Sequence, residues 1–272
     1  MMMIDPLSAP ARATLAIIGG TGLDWSGIAA SLADSLSSPL GQAREETVAT
    51  RWGTARVSRA KYFEREILFL HRHAAPDDSL HGVPPHKINY RANLAALKAL
   101  GATRVLALNT VGGITEHFGP RVLACPDQLI DYTWGRVSTF PEESGSEVLH
   151  VDFGEPYTPS LRKDVISAAT RASVLIVGHG CYGVTQGPRL ETKAEIARMR
   201  RDGCDLVGMT GMPEAGLARE LGVDYACLAI VANWAAGCSA GGDEEITMDE
   251  VLGNVAAASE GLPGLLRELL DA

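Results

Sequence analysis

The residues of this chain that could do chemistry gather where short apolar runs end. "TLAII" (14–18) leads into Gly19, Gly20, Thr21 and Gly22; "REILFL" (65–70) leads into His71, Arg72 and His73. "RVLALN" (104–109) ends on Asn109 and Thr110, and "DLVGMT" (205–210) on Thr210. In "LAIVANWAAG" (228–237) a single amide side chain, Asn233, interrupts an apolar stretch and is followed at once by Trp234 and Ala235. An arginine offers a planar fork of N–H donors to an oxyanion, and threonine hydroxyls with backbone N–H groups can fill the remaining acceptors. A set this rich in donors and poor in carboxylates suits holding an inorganic oxyanion better than it suits a paired general acid and base.

The runs that carry these residues are strand-like, and helical patterns separate them. Apolar residues recur at helical spacing over 87–101, 161–172, 191–203 and 213–222, with a closing helix from about Thr247. Gly101 and Gly222 supply stop signals, and Pro213 sits in a first helical turn. Residues 173–187 read as a strand broken by glycines, and "TVGG" (110–113) as a turn after the strand that ends at Asn109. Strands alternating with helices predict an α/β fold: a single domain over 1–272, with a mixed central β-sheet flanked by helices and a flexible start over about residues 1–12. In such sheets ligands sit beyond the carboxyl ends of the strands, where the donors lie.

The bulk composition narrows the partners. With 46% hydrophobic and 21% charged residues in 272, the chain can bury a large core. A formal charge of −9 argues against a nucleic-acid groove or an anionic membrane surface. Five cysteines without a CxxC pair fit reduced thiols in a cytoplasmic protein. The start "MMMIDPLSAPARA" lacks a basic segment ahead of a long apolar one, and no apolar run reaches the roughly 18 residues a membrane span needs.

Three suggestive patterns do not survive inspection. "GCSAG" (237–241) matches a nucleophile elbow, but no histidine follows Ser239, and that chemistry needs one later in the chain. "GGTGLDW" has Trp25 where a dinucleotide fingerprint needs its third glycine. His71, His73, His81 and His86 are close in sequence but lack a further ligand in register, so no metal site is expected.

Six ordered stretches together carry a more specific signal: "IIGGTGLD" (17–24), "RH" (72–73) followed by "PHKINYRANLAALK" (85–98), "NTVGGI" (109–114), "DQLIDYT" (127–133), "GPRLETKAE" (187–195) and "GMTGMPEAGLARELG" (208–222). Through them the chain resembles the methylthioadenosine phosphorylase branch of the trimeric purine nucleoside phosphorylase family. The resemblance implies that fold, a homotrimer (alone or paired into a hexamer), inorganic phosphate as co-substrate and no cofactor. It places phosphate contacts on Thr21, Arg72, His73, Asn109, Thr110 and Thr210, with Met209 against the ribose, Leu190 against the purine, and Asn233, Trp234 and Ala235 on the base-reading segment. The family usually carries a small or hydroxyl residue at Asn109 and an aromatic one at Leu190. Met248, Val251 and Leu252 share a helix face by their spacing, and the resemblance makes that face the lining of the 5′ pocket, with His150 near it and contributed by an adjacent subunit.

The implied chemistry is phosphorolysis of an N-glycosidic bond, with Arg72, His73 and Asn233 as catalytic residues. Adenine-specific relatives place aspartates in the base-reading segment, whereas this chain has no carboxylate between residues 226 and 242. An asparagine can donate to the O6 of a 6-oxopurine and still engage N7. The expected substrate is therefore S-methyl-5′-thioinosine, with methylthioadenosine, or inosine and guanosine, as the alternatives.

Overall fold

The computed structural model describes residues 14–23, 27–28, 44–63, 65–74, 82–142, 147–241 and 245–272. The expected flexible start, Trp25 and His81 lie outside the described residues. Ten strands form one mixed sheet: β1 (Thr14–Gly19), β2 (Arg44–Thr50), β3 (Gly53–Tyr62), β4 (Arg65–His71), β5 (Ala102–Gly113), β6 (Leu123–Ala124), β7 (Gln128–Asp131), β8 (Cys181–Val184), β9 (Leu206–Gly208) and β10 (Asp224–Trp234). The described helices are α1 (Tyr90–Ala99), α2 (Pro159–Arg171), α3 (Lys193–Asp202), α4 (Glu214–Glu220), α5 (Met248–Ser259) and α6 (Leu262–Asp271). Among the described residues no helix is long and apolar enough to cross a membrane.

The sheet runs β2-β3-β4-β1-β5-β9-β8-β7, with β10 pairing parallel to β5 on its other side. Side chains of β5 and β10 alternate between two cores, as period 2 requires. Leu106, Leu108, Ala226, Leu228 and Ile230 face α2, α5 and α6, while Val105, Ala107, Tyr225, Cys227 and Ala229 face α1 and α4. Both faces are covered, so these strands are apolar almost throughout rather than alternating with polar residues. Burying such strands stabilises by roughly 25 cal/mol for each Å² of apolar surface removed from water.

Three departures from the sequence reading matter. The β5 strand does not stop at Asn109 but runs through the expected turn to Gly113, because both glycines pair with β9. Gly113 has no space for a side chain: a Cβ would lie 1.7 Å from the Phe118 carbonyl oxygen. Residues 173–187 contain only the short β8, and the preceding stretch contributes a single bridge, Val177 to Ala124. The antiparallel strands β2 and β3 carry no diagnostic motif and were not expected.

The strand β10 carries a register shift near its end. Its pairing with β5 runs residue for residue to Val231 and Val111, then skips Ala232 and resumes at Asn233 and Gly112. One extra residue re-aims the side chains that follow it. The carbonyl exposed at Ala232 is satisfied from α5, where the Asn254 amide donates to it at 2.7 Å, and Arg121 in turn donates to Asn254 at 2.8 Å.

Candidate active site

A cavity of about 750 Å³ opens at the strand ends, between the glycine turn after β1, the end of β4, the second half of β5, the segment after β9, and the end of β10. Of the residues singled out from sequence, Thr21, Arg72, His73, Thr110 and Thr210 line one part of it. Leu190, Met209, Asn233, Ala235, Met248 and Val251 also line it.

The donor cluster is held rigidly. Thr110 donates its hydroxyl to the Thr21 carbonyl at 2.8 Å, fixing the glycine turn against β5. Gly20 must be glycine, since a Cβ there would meet the Leu108 carbonyl at 2.9 Å and Arg72 Nη1 at 3.3 Å. Arg72 is 2% exposed and is not a free fork. It donates through Nε and Nη2 to the two oxygens of Glu214 at 2.8 and 2.9 Å, and through Nη1 to the Leu108 carbonyl at 3.3 Å. Tyr225 donates to the same carboxylate at 2.8 Å. Burial works against the charge on Arg72, but the adjacent carboxylate outweighs it and raises the pKa, so the guanidinium stays charged. The Nη1 edge, beside Gly20, is the part left for a ligand.

Asn109 does not line the cavity. It is fully buried beneath it, where its amide donates to Thr210 Oγ1 at 2.9 Å and its Oδ1 accepts from Arg72 at 3.5 Å. The direct oxyanion contact expected of Asn109 is replaced by support of two residues that do line the site. Here the amide at the position usually held by a small or hydroxyl residue finds its reason.

His73 places Nδ1 2.8 Å from the Val83 carbonyl. A carbonyl can only accept, so the ring carries a proton on Nδ1. Burial lowers the pKa, keeping the ring neutral and leaving Nε2 as an acceptor. Among the described residues no three His, Cys, Asp or Glu side chains converge as metal ligands would.

At the end of β10 the register shift turns Asn233 and Ala235 into the cavity and Trp234 out of it. The Trp234 ring lies over Gly119, so the sequence expectation that it reads the base is corrected. Asn233 donates one N–H to the Trp234 carbonyl at 2.7 Å. That contact fixes which way the amide faces: its nitrogen must lie beside the carbonyl, leaving a second N–H and Oδ1.

Two carboxylates belong to this region that the sequence reading did not place there. One is Glu214, behind Arg72. The other is Glu191, which lines the cavity and accepts from the Thr185 hydroxyl at 2.6 Å. Burial raises its pKa above the ordinary carboxylate range, against the hydrogen bond from Thr185. Its neighbours conceal it in the sequence: Thr192 and Glu195 form the capping box of α3, so "ETKAE" reads as a helix start.

The remaining expected contacts divide. On α5, Val251 is buried against the cavity, while Met248 lines it and is 59% exposed. Leu252 is 43% exposed and turns toward Gly22 without lining the cavity. His150 is exposed and lies outside the cavity of its own chain.

Comparison with known proteins matches residues 14–271 to the model of the phosphorylase superfamily. The chain is 63% identical to a probable S-methyl-5′-thioinosine phosphorylase of Xanthomonas campestris pv. campestris, over 94% of this chain and 96% of that one. It is 41% identical to the 6-oxopurine nucleoside phosphorylase of Pyrococcus furiosus, over 93% and 90% of the two chains. Among solved structures, methylthioadenosine phosphorylase from Schistosoma mansoni in complex with adenine superposes with a TM-score of 0.83 at 28% identity, covering 96% of this chain and 91% of that one.

Proposed function

The chain belongs to the phosphorylase superfamily, and we propose that it catalyses phosphorolysis of S-methyl-5′-thioinosine, giving hypoxanthine and 5-methylthioribose 1-phosphate. Inorganic phosphate is the second substrate and no cofactor takes part. The observation that carries the 6-oxo preference is the presence of Glu191 and Asn233 in one cavity. A 6-oxopurine presents an acceptor at O6, a donor at N1 and an acceptor at N7. An ionised carboxylate accepts from N1–H, and the uncommitted N–H of Asn233 can donate to O6 or N7. Adenine offers a lone pair at N1 instead, which a carboxylate opposes.

In the reaction a phosphate oxygen bonds to C1′ as the bond from C1′ to N9 breaks, and the electron pair leaves with the purine. Monohydrogen phosphate brings a proton that the sugar phosphate does not keep, and this proton leaves with hypoxanthine. The neutral Nε2 of His73 is suited to accept it on the way. Arg72 Nη1, the Thr210 hydroxyl and the N–H groups of the glycine turn would hold the anion in line, with Thr110 fixing that turn through its bond to the Thr21 carbonyl. A hydrogen bond from Asn233 would stabilise the charge developing on the departing base.

Apolar Val251, Met248 and Ile246 at the cavity favour a methylthio group over a hydroxyl at the 5′ position, by on the order of 1 kcal/mol for each methyl-sized group buried. The exposure of Met248 and Leu252, with that of Val148 and Leu149 beside His150, supports a homotrimer in which a neighbouring subunit completes this end. A cytoplasmic location fits the five unpaired cysteines.

The deciding experiment follows base release from methylthioinosine, methylthioadenosine and inosine, with phosphate, with arsenate and with neither. Release should need the oxyanion and be fastest with methylthioinosine. Equal release in phosphate-free buffer would remove the reaction class, and a preference for methylthioadenosine would remove the substrate.

The ionisation of Glu191 sets a pH dependence. Its raised pKa means that protonation, and loss of the acceptor for N1–H, begins at a higher pH than for an ordinary glutamate. As pH falls, kcat/KM for the 6-oxopurine nucleoside should decline along a limb governed by this group. Glu191→Gln should lower the plateau about tenfold and flatten that limb; an unchanged limb in the variant would assign it to another residue.

A further inference from the structure

Arg136 follows β7, outside the strand ends that carry the donors, and its guanidinium makes six hydrogen bonds beside the cavity. Nη1 donates to the carbonyls of Met209 and Met212 at 2.8 and 2.6 Å and to the Tyr90 hydroxyl at 3.3 Å. Nη2 donates to the carbonyls of Thr185 and Gln186 at 3.0 and 2.8 Å, and Nε to Gln186 Oε1 at 3.1 Å. The cation also lies 5.8 Å from the Tyr90 ring centroid.

Four of these acceptors are main-chain carbonyls from two segments that have just left the sheet. The parallel strands β8 and β9 pair as far as Val184 and Gly208, and a last bond joins Thr185 N to the Gly208 carbonyl at 2.8 Å. Beyond that point the carbonyls lack ladder partners, and Arg136 supplies the donors. Both segments become walls of the cavity. One carries Glu191, which Thr185 holds by its hydroxyl, and the other carries Met209. A lysine, a compact point charge with three donors, could not span both segments in this planar geometry.

We propose that Arg136 is a positioning residue for the nucleoside end of the site, setting the spacing between the wall that carries Glu191 and the wall that carries Met209. The proposal rests on the phosphorylase reading of the cavity. The side chains at the phosphate end have anchors of their own: Asn109 holds the Thr210 hydroxyl and Glu214 holds Arg72, so what this end shares with Arg136 is the main chain from Met209 to Met212. Loosening Arg136 therefore acts more strongly on the nucleoside than on phosphate.

The test is steady-state kinetics of Arg136→Lys in both substrates, methylthioinosine and phosphate. Misplacing a wall by about 1 Å can cost two orders of magnitude, so kcat/KM for the nucleoside should fall about 30- to 100-fold. The KM for phosphate should stay within about threefold, and the preference for methylthioinosine over methylthioadenosine should narrow as Glu191 loses its fixed place. A uniform loss of active protein would lower kcat alone and leave both KM values and the preference intact. Parallel rises in both KM values, or no change in either, overturn the proposal. If Arg136→Lys does not fold, Gln186→Ala removes the Nε acceptor, together with that of the Trp134 N–H, while leaving the four carbonyl contacts, and should produce the same split at about three- to tenfold; its absence there is equally decisive against the proposal. A wild-type protein that cleaves none of these nucleosides with phosphate overturns the phosphorylase reading itself, and the positioning role with it.

Discussion

Glu214→Ala should lower stability by on the order of 3–5 kcal/mol, because it leaves the Arg72 cation buried without its partner. Arg72 and Glu214 are 2% and 0% exposed, so water cannot take the place of the lost carboxylate without opening the interior. The Tyr225 hydroxyl, which donates to Glu214, loses its acceptor at the same time. For a chain of this size the loss corresponds to about 10 °C in melting temperature. Glu214→Gln keeps one oxygen to accept from the guanidinium and should fall between the variant and the wild type. Phosphate adds a second reading. With the carboxylate gone, the oxyanion becomes the nearest counter-charge to Arg72, so the melting temperature of Glu214→Ala should rise more steeply with phosphate concentration than that of the wild type. Thermal denaturation of the three proteins across a phosphate series measures both effects. A Glu214→Ala protein melting within about 2 °C of the wild type would mean that Arg72 finds another partner, and the ion pair would lose its assigned role.

What sequence reading could and could not reach follows from the range of the interactions involved. The ends of β1, β4 and β10 were legible because apolar runs stop abruptly at polar residues, a local signal. Helix α3 was legible through the helical spacing of its apolar residues, and Thr192, Glu195 and Gly203 cap it through near neighbours alone. The continuation of β5 through Gly112 and Gly113 was not: glycines after a strand normally signal a turn, and only the distant β9 and β10 make them part of the sheet. Asn109 lies on the expected strand, but its side chain is buried beneath the cavity floor and does not line the cavity. Strand alternation sends Val105, Ala107 and Asn109 toward α4, where the carboxylate of Glu214 sits. Glu214 itself reads as an acidic residue in a first helical turn, a common place for one on dipole grounds. Its functional meaning appears only when α4 packs beside β10 and brings the carboxylate to Arg72, 142 positions away in the chain. The same holds for Trp234, since one extra residue at Ala232 decides that Asn233 and Ala235 face the cavity and Trp234 does not.

That register shift makes Asn233 the position with the greatest leverage on substrate choice. Asn233→Asp should reduce kcat/KM for methylthioinosine relative to methylthioadenosine by about a hundredfold, as two contacts reverse at about 1–3 kcal/mol each. The first is the intramolecular bond to the Trp234 carbonyl, 2.7 Å away, which an ionised carboxylate cannot make and would oppose. Aspartate there must bind a proton to remain, giving a single O–H donor where the amide had two N–H groups. If that proton faces Trp234, the group presents only acceptors to the base, which repel O6 and accept from an exocyclic N6 amine. The change in preference is limited by Glu191, which still opposes the N1 lone pair of adenine. Adding Glu191→Gln supplies an amide that can donate to N1, so the double variant should move further toward the 6-amino substrate than either single change. The two residues then act as one reader of the base edge, and their effects should be non-additive in the ratio of the two specificities. Competition assays with both nucleosides in one reaction measure that ratio directly. If Asn233→Asp lowers the two rates equally, the amide serves only the Trp234 backbone and base selection lies with Glu191 alone.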